Sequence, residues 1–384
     1  MYSVHGYGRM IADAGRFEAY AAALRAAITP GCAVADIGAG TGIFALLACR
    51  FGAGRVYAIE PAPAIEAARL LATANGLSDG ITFLQDLSTR VTLTEPADVI
   101  VSDLRGVLPL FQNHVPSIVD ARRRLLAPRG VLIPQRDTLW AAVVEAPETY
   151  AGVLTGYGPD IDGLDMRAAR RIVTSCWTKA RFRPDQLLTE PARWGELDYR
   201  TVETPSVAAD LEWTAARPGT AHGLCLWFDA TLADGICFSN APCAAEHIYG
   251  SAFFPLASPA PVEAGDSIEC SIRADLVHDD YVWSWHTRVR SAGCAGSPRA
   301  EFRQSTLQAA LVPLGSLRKG ADVHVPSIGA AGRIDAFILQ RMCAAAPGSL
   351  GEIAHAAAER FPERFRDWKQ AMGRVGELSR QYSE

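Results

Sequence analysis

Apolar residues along this chain change their spacing three times, and each change predicts a different kind of element. Through residues 10–27 they recur at helical intervals in an alanine-rich stretch that Pro30-Gly31 ends. Short β-branched and apolar runs then alternate with helical ones. The strands fall at 34–37, 56–59, 81–84, 99–102 and 131–133, and the helices at 43–51, 62–75 and 114–126. Gly76 stops the second of these helices, and Pro128-Arg129-Gly130 predicts a turn into the last strand. Such alternation with short connections predicts an α/β fold with a doubly wound parallel sheet. Beyond Pro134 the period falls to two, in 138–144, 224–230, 266–273 and 282–289, separated by Gly, Pro and Asp turns. That texture predicts an antiparallel, β-barrel-like domain. Residues 290–299 hold Gly293, Gly296, Ser297 and Pro298 and read as a turn or linker, and from Arg333 the pattern is helical again. The expected domains are 1–134, 135–300 and 301–384, with no internal repeat.

Chemistry concentrates first at the end of the 34–37 run. There the sequence reads Asp36-Ile37-Gly38-Ala39-Gly40-Thr41-Gly42, followed by a helix. Strand, glycine turn and helix bring backbone N–H groups against a nucleotide-like ligand. The 56–59 run closes on Glu60, an acid placed to accept hydrogen bonds from both hydroxyls of a ribose. A dinucleotide fingerprint would need a small residue at 43, where Ile43 stands. The spacing behind Asp36 instead resembles the motif of class I methyltransferases, whose cofactor is S-adenosyl-L-methionine.

Bulk properties narrow the class. With 49% apolar and 21% charged residues, the 384-residue chain is an ordinary globular protein of two or three domains, not a disordered one. A net charge of −5 gives no reason to expect nucleic acid or a membrane surface as partner. No run reaches the roughly 18 apolar residues of a membrane span, and the first residues lack the basic and apolar regions of a signal peptide. Nine cysteines lie scattered with no C-x-x-C pair, which predicts reduced thiols in a cytoplasmic protein and no metal site.

Several motifs in order then resemble one family, the protein arginine methyltransferases, from about Tyr2 to about Arg290. The helix Met10-Ile11-Ala12-Asp13-Ala14-Gly15-Arg16-Phe17-Glu18-Ala19-Tyr20 matches the family's cofactor-covering helix. The resemblance implies that Met10 lies near the reacting methyl and that Arg16 grips the methionyl carboxylate, a task suited to a guanidinium fork. Ala245-Glu246-His247-Ile248-Tyr249 stands at the family's Thr-His-Trp loop, which implies that His247 pairs with Asp13 and lines the site. Gly163-Leu164-Asp165-Met166 and Asp185-Gln186-Leu187 match a dimerisation arm, about residues 154–190, and imply a homodimer. Asp86, just past the third strand, stands where an acid would meet the adenine amino group. The resemblance thus implies a Rossmann-like methyltransferase sheet, a barrel with an arm, and an added C-terminal helical segment.

One loop departs from the family pattern. Family members clamp the substrate guanidinium with two glutamates, and here Asp103 and Gln112 stand in their places. A guanidinium leaves water readily only against paired negative charge, and Arg105 adds a cation to the same loop. The leading expectation is therefore methyl transfer to N or O of a different peptide or small-molecule substrate. Asp103, or His247 held by Asp13, would orient the acceptor, whereas His114 reads as a helix cap or surface residue. The other readings are arginine methylation that tolerates Asp103 and Gln112, and a silent relative that binds cofactor and partners. Segments 333–342, 348–353 and 371–382 distantly resemble small helical peptide-carrier modules, which implies a ribosomally made peptide as substrate; a helical cap is the plainer reading.

Overall fold

The structure, a computed structural model, describes residues 3–157, 162–293, 296–313, 318–319, 322–344, 346 and 348–382. Tyr2, where the family resemblance begins, and residues 158–161 of the expected arm lie outside the described residues. Two compact units are present, Met1–Ala310 and Leu311–Glu384.

The first unit opens with helices α1 (Val4–Ile11) and α2 (Ala14–Ala27), capped by Ser3 and Asp13. Five parallel strands follow, β1 (Ala33–Ile37), β2 (Arg55–Ile59), β3 (Ile81–Leu84), β4 (Ala97–Ser102) and β5 (Leu126–Ile133). Helices α3 (Ile43–Arg50), α4 (Ile65–Ala74) and α5 (His114–Arg124) connect them. The spatial order β3-β2-β1-β4-β5 reverses between β1 and β4. A doubly wound sheet opens its ligand crevice at that reversal, beyond the carboxyl ends of the strands. Pro128-Arg129-Gly130 is not a turn. The strand runs through it as a bulge, with the register jumping from Ala97 opposite Leu126 to Val99 opposite Val131. Proline lacks an N–H to donate, and β5 is an edge strand, where a bulge tolerates it.

Antiparallel strands build the remainder of this unit: β6 (Arg136–Val144), β7 (Thr178–Ala180), β8 (Ala192–Asp198), β9 (Val207–Thr214), β10 (Gly219–Ala233), β11 (Ile236–Ser239), β12 (Ser251–Val262), β13 (Ser267–Val277), β14 (Asp280–Arg290) and β15 (Ala300–Ser305). They form one sheet ordered β7-β12-β10-β6-β8, with β11 on β10, and a second ordered β15-β14-β13-β9. Phe254 meets Trp283 and Trp285 in the core between them, at ring separations of 5.0 and 5.2 Å. Strand β15 pairs antiparallel with β14, so the sheet continues past residue 300.

Helix α6 (Pro147–Val153) precedes the segment matching the arm, and α7 (Arg167–Val173) lies within it. Trp177 stacks on Phe254 and Phe182 packs on Phe253, so neither needs a partner chain to cover it. Leu164 does stand 62% exposed.

Helices α8 (Ala330–Met342), α9 (Leu350–Arg360) and α10 (Trp368–Tyr382) form the second unit. Their buried Ile334, Ile338, Ile353, Ala357, Val375 and Leu378 make a core of their own. Ser349 and Glu352 cap α9 reciprocally. No helix among the described residues is long and apolar enough to cross a membrane.

Candidate active site

The loop after β1 is shaped by close approach. Gly38 and Gly40 have φ of 73° and 55°, in the left-handed region that side chains avoid. A Cβ on Gly38 would lie 2.3 Å from Leu104, and one on Gly40 2.4 Å from the Tyr7 ring of α1. Glycine there lets the backbone pass under both neighbours, and Gly42 starts α3. Asp36 is buried at the end of β1, where Oδ2 accepts the Ala45 N–H at 3.0 Å and Oδ1 has no partner among the described residues. Burial pushes its carboxyl up to about 7, against the Ala45 N–H and with help from Glu60. Glu60 is buried as well. It accepts from Gly40 N at 2.9 Å and Ala62 N at 2.8 Å, so each oxygen keeps a lone pair. An orphaned carboxylate oxygen beside a bare glycine cradle fits a cationic, hydroxyl-bearing ligand. Asp86 stands partly exposed after β3, 3.9 Å from Arg90.

Across the strand reversal, Asp103 follows β4 with its side chain only 8% exposed. Its Oδ2 accepts from Arg16 Nε at 2.6 Å, Arg16 Nη2 at 2.5 Å and the Tyr249 hydroxyl at 2.5 Å. Its Oδ1 accepts from Arg105 Nε at 3.1 Å. Burial pushes this carboxyl up, but Arg16 and Arg105 outweigh it and hold it down at about 2. Asp103 is therefore ionised throughout the physiological range. Arg16 also donates to Met10 O at 3.1 Å, which leaves one hydrogen on each terminal nitrogen.

Arg105 does not project toward an acceptor. Its guanidinium is wholly buried, donating to Asp137 at 2.7 Å and to the Tyr20 hydroxyl. The rings of Phe228, Phe238, Tyr20 and Tyr249 surround it at 5.2–6.0 Å. Asp137 also accepts from the Tyr199 hydroxyl at 2.5 Å. That hydroxyl's one hydrogen is then committed to Asp137, so the His114 Nε2 at 2.9 Å must be the donor to its oxygen. His114 is thus neither cap nor surface group: it is 2% exposed, and its Nδ1 is a buried acceptor with no partner among the described residues. Burial and the Arg105 charge hold the imidazole down at about 3, so it stays neutral.

His247 and Asp13, distant in sequence, meet at 2.8 Å, and Asp13 also accepts from Ile248 N at 2.7 Å. Asp13 caps α2 through Arg16 N at 3.3 Å, so one carboxylate fixes both the helix start and the histidine loop. Gln112 stays outside the cluster. It is exposed, with φ of 44°, and its side chain makes no hydrogen bond among the described residues. Sequence reading missed Tyr20, Asp137 and Tyr199. An aspartate inside the apolar run 136–144 was the available signal, since a buried charge demands a partner.

Two family models match the chain. One described as "Arginine methyltransferase oligomerization subdomain" covers residues 135–290, and one described as "Ribosomal protein L11 methyltransferase (PrmA)" covers 20–146. An arginine N(omega)-methyltransferase of Streptomyces achromogenes is 32% identical over 67% of this chain and 73% of its own length. A probable protein arginine N-methyltransferase 6 of Arabidopsis thaliana is 30% identical over 57% of this chain and 52% of that protein. Among solved structures, the Trypanosoma brucei PRMT1 enzyme-prozyme heterotetrameric complex with AdoHcy superposes with a TM-score of 0.71 at 20% identity, over 79% of this chain and 98% of that one. Arabidopsis thaliana protein arginine methyltransferase 10 gives 0.68 at 22%, over 79% and 97%. These two likenesses show the fold.

Proposed function

The chain belongs to the protein arginine methyltransferase family of S-adenosylmethionine-dependent enzymes, and from that premise we propose that it methylates a terminal nitrogen of an arginine guanidinium, free or within a peptide. The observation that carries this reading is the Arg105–Asp137 pair at 2.7 Å. Arginine was the less expected acceptor because Arg105 would repel it and Gln112 brings no charge. Asp137 balances Arg105 inside the core, so the first objection falls. Asp103 keeps its charge and already holds the Arg16 guanidinium at 2.5 Å, which is the chemistry an arginine acceptor requires.

Glu60 would hold the cofactor's ribose, Asp36 its ammonium, the two remaining Arg16 hydrogens its carboxylate and Asp86 its adenine, with Gly38, Gly40 and Gly42 lining the crevice and Met10 above it. The cofactor supplies an electrophilic methyl on a sulfonium. Asp103 accepts an N–H of the acceptor through the remaining Oδ1 lone pair and turns one guanidine nitrogen toward that methyl. That nitrogen would have a proton to shed on taking the methyl, and Asp103, or His247 held by Asp13, would receive it.

Mass spectrometry after incubation with labelled cofactor tests this proposal on free arginine and arginine-containing peptides. The expected product carries the methyl on a guanidine nitrogen. Transfer to another acceptor alone would hand the case to the altered-pocket reading.

Cofactor affinity should also depend on pH. Asp36 must ionise to meet an ammonium, and its carboxyl sits at about 7. Binding should therefore weaken up to about tenfold per pH unit below 7, read by calorimetry between pH 5 and 8, and Asp36→Asn should flatten the profile. Folding runs the other way. A carboxyl raised from 3.8 adds stability at low pH that is lost as pH climbs through 7. A pH-independent Kd would remove Asp36 from the site.

The match to an oligomerization subdomain and the exposure of Leu164 on the arm support a homodimer. Sedimentation at micromolar concentration should give twice the 41.2 kDa chain mass, and Leu164→Asp should shift it toward monomer. Wild-type protein that sediments as a monomer rejects the arm's role. The eight described cysteines are all free thiols, which supports a reducing compartment such as the cytoplasm.

A further inference from the structure

We propose that Arg105 is a positioning residue, anchored by Asp137 and Tyr20, that fixes the Asp103 carboxylate for its acceptor. The inference rests on the proposed function and assigns a role to a buried network that the reaction itself does not use. Asp103 has a shorter side chain than glutamate and sits on a loop, so its two oxygens need holding from both sides. Arg16 and Tyr249 hold Oδ2 at 2.5–3.1 Å from each other and from the carboxylate. Among the described residues Arg105 alone holds Oδ1, at 3.1 Å.

Three separate elements meet at this guanidinium. Nε reaches Asp103 after β4, Nη1 reaches Asp137 on β6 at 2.7 Å, and Nη2 reaches Tyr20 on α2. Tyr20 returns its proton to Ser102 O at 3.1 Å, the residue before Asp103. The chain of contacts continues through Tyr199 at 2.5 Å to His114 at 2.9 Å, two residues beyond Gln112. Both ends of the acceptor loop are thereby tied to one buried cation, and both ties are made without exposing a net charge. A lone ion pair in the core would need only Arg105 and Asp137. The Nε bond to Asp103 and the Nη2 bond to the tyrosine behind it are what make the arrangement specific to the loop.

A planar fork with five donors can serve three partners at once, whereas lysine offers one compact ammonium. Arg105→Lys keeps the charge for Asp137 and gives up the simultaneous grip on Asp103 and Tyr20. Arg105→Met with Asp137→Asn removes both charges together and guards against a lysine variant that fails to fold. Thermal melting, steady-state kinetics with the arginine acceptor and crystal structures are compared with wild type. The expected result is a folded variant whose kcat falls about 10- to 100-fold, the size of effect that a displacement near 1 Å produces. KM for the acceptor should stay within about threefold, because the Asp103 charge remains to attract it. In the crystal structure, Asp103 should leave its wild-type rotamer.

Wild-type kcat in the folded variants, with Asp103 unmoved, would overturn the proposal and leave Arg105 as an ordinary core ion pair. So would a kcat loss matched by an equal rise in KM with Asp103 in place. Absence of guanidine methylation by the wild type would count against the proposed function alone. The crystal structures then still decide the positioning role, upheld if Asp103 moves and overturned if it does not.

Discussion

Asp103→Asn should lower kcat/KM for a guanidine acceptor by about a thousandfold, within the range for losing an acid–base or charge-orienting group. The replacement keeps the shape and one accepting oxygen but removes the only anion in contact with Arg16 among the described residues. Arg16 and Arg105 would then face each other across a neutral amide, and an incoming guanidinium would add a third positive charge. Labelled-methyl transfer measures the loss, with circular dichroism to show that the variant is folded. Activity within a few-fold of wild type would mean that another group receives the acceptor, and Asp103 would lose its assigned part. Asp103→Glu should behave differently, since it restores the reach of the family's residue while keeping the charge.

The second large effect is on stability. Asp137→Ala should destabilise the first unit by about 3–5 kcal/mol, the usual consequence of removing one partner from a buried ion pair. Neither side chain of the Arg105–Asp137 pair is exposed, so solvent cannot take over for the missing carboxylate. Arg105 would be left with Asp103 at 3.1 Å, and Tyr199 would lose its acceptor at 2.5 Å. Urea denaturation followed by tryptophan fluorescence reads the change, because Trp283 and Trp285 lie in the core of the same unit. A loss under about 1 kcal/mol would show that the cavity admits water to the guanidinium. Arg105→Met added to Asp137→Ala should recover most of the stability, since the pair is then removed whole.

Sequence and structure divide along the distance between interacting residues. The cofactor half of the site was legible because it is local. Asp36 and the glycines that follow it need only a strand end, left-handed backbone and a helix start, and each leaves a mark within a few residues. Strand–helix alternation likewise determined the parallel sheet, and the change to period two determined the antiparallel one, because burial of one face imposes its period directly on the chain. Family resemblance extended this to Asp13 and His247, a pair that no spacing rule would join. Tertiary structure alone decided what Arg105 does. As a cation in a loop it reads as a charge facing the substrate, and only the fold brings Asp137 from β6 and Tyr20 from α2 to turn it inward. His114 changed from a surface residue to a buried, neutral donor for the same reason, since Tyr199 arrives from 85 residues away. Pro128-Arg129-Gly130 became a bulge because β4 was there to pair on either side of it. Periodicity records which face of an element is buried. It carries no record of which partner the fold delivers to a polar group on that face, and in this protein that partner, Asp137, is what offsets the charge of Arg105.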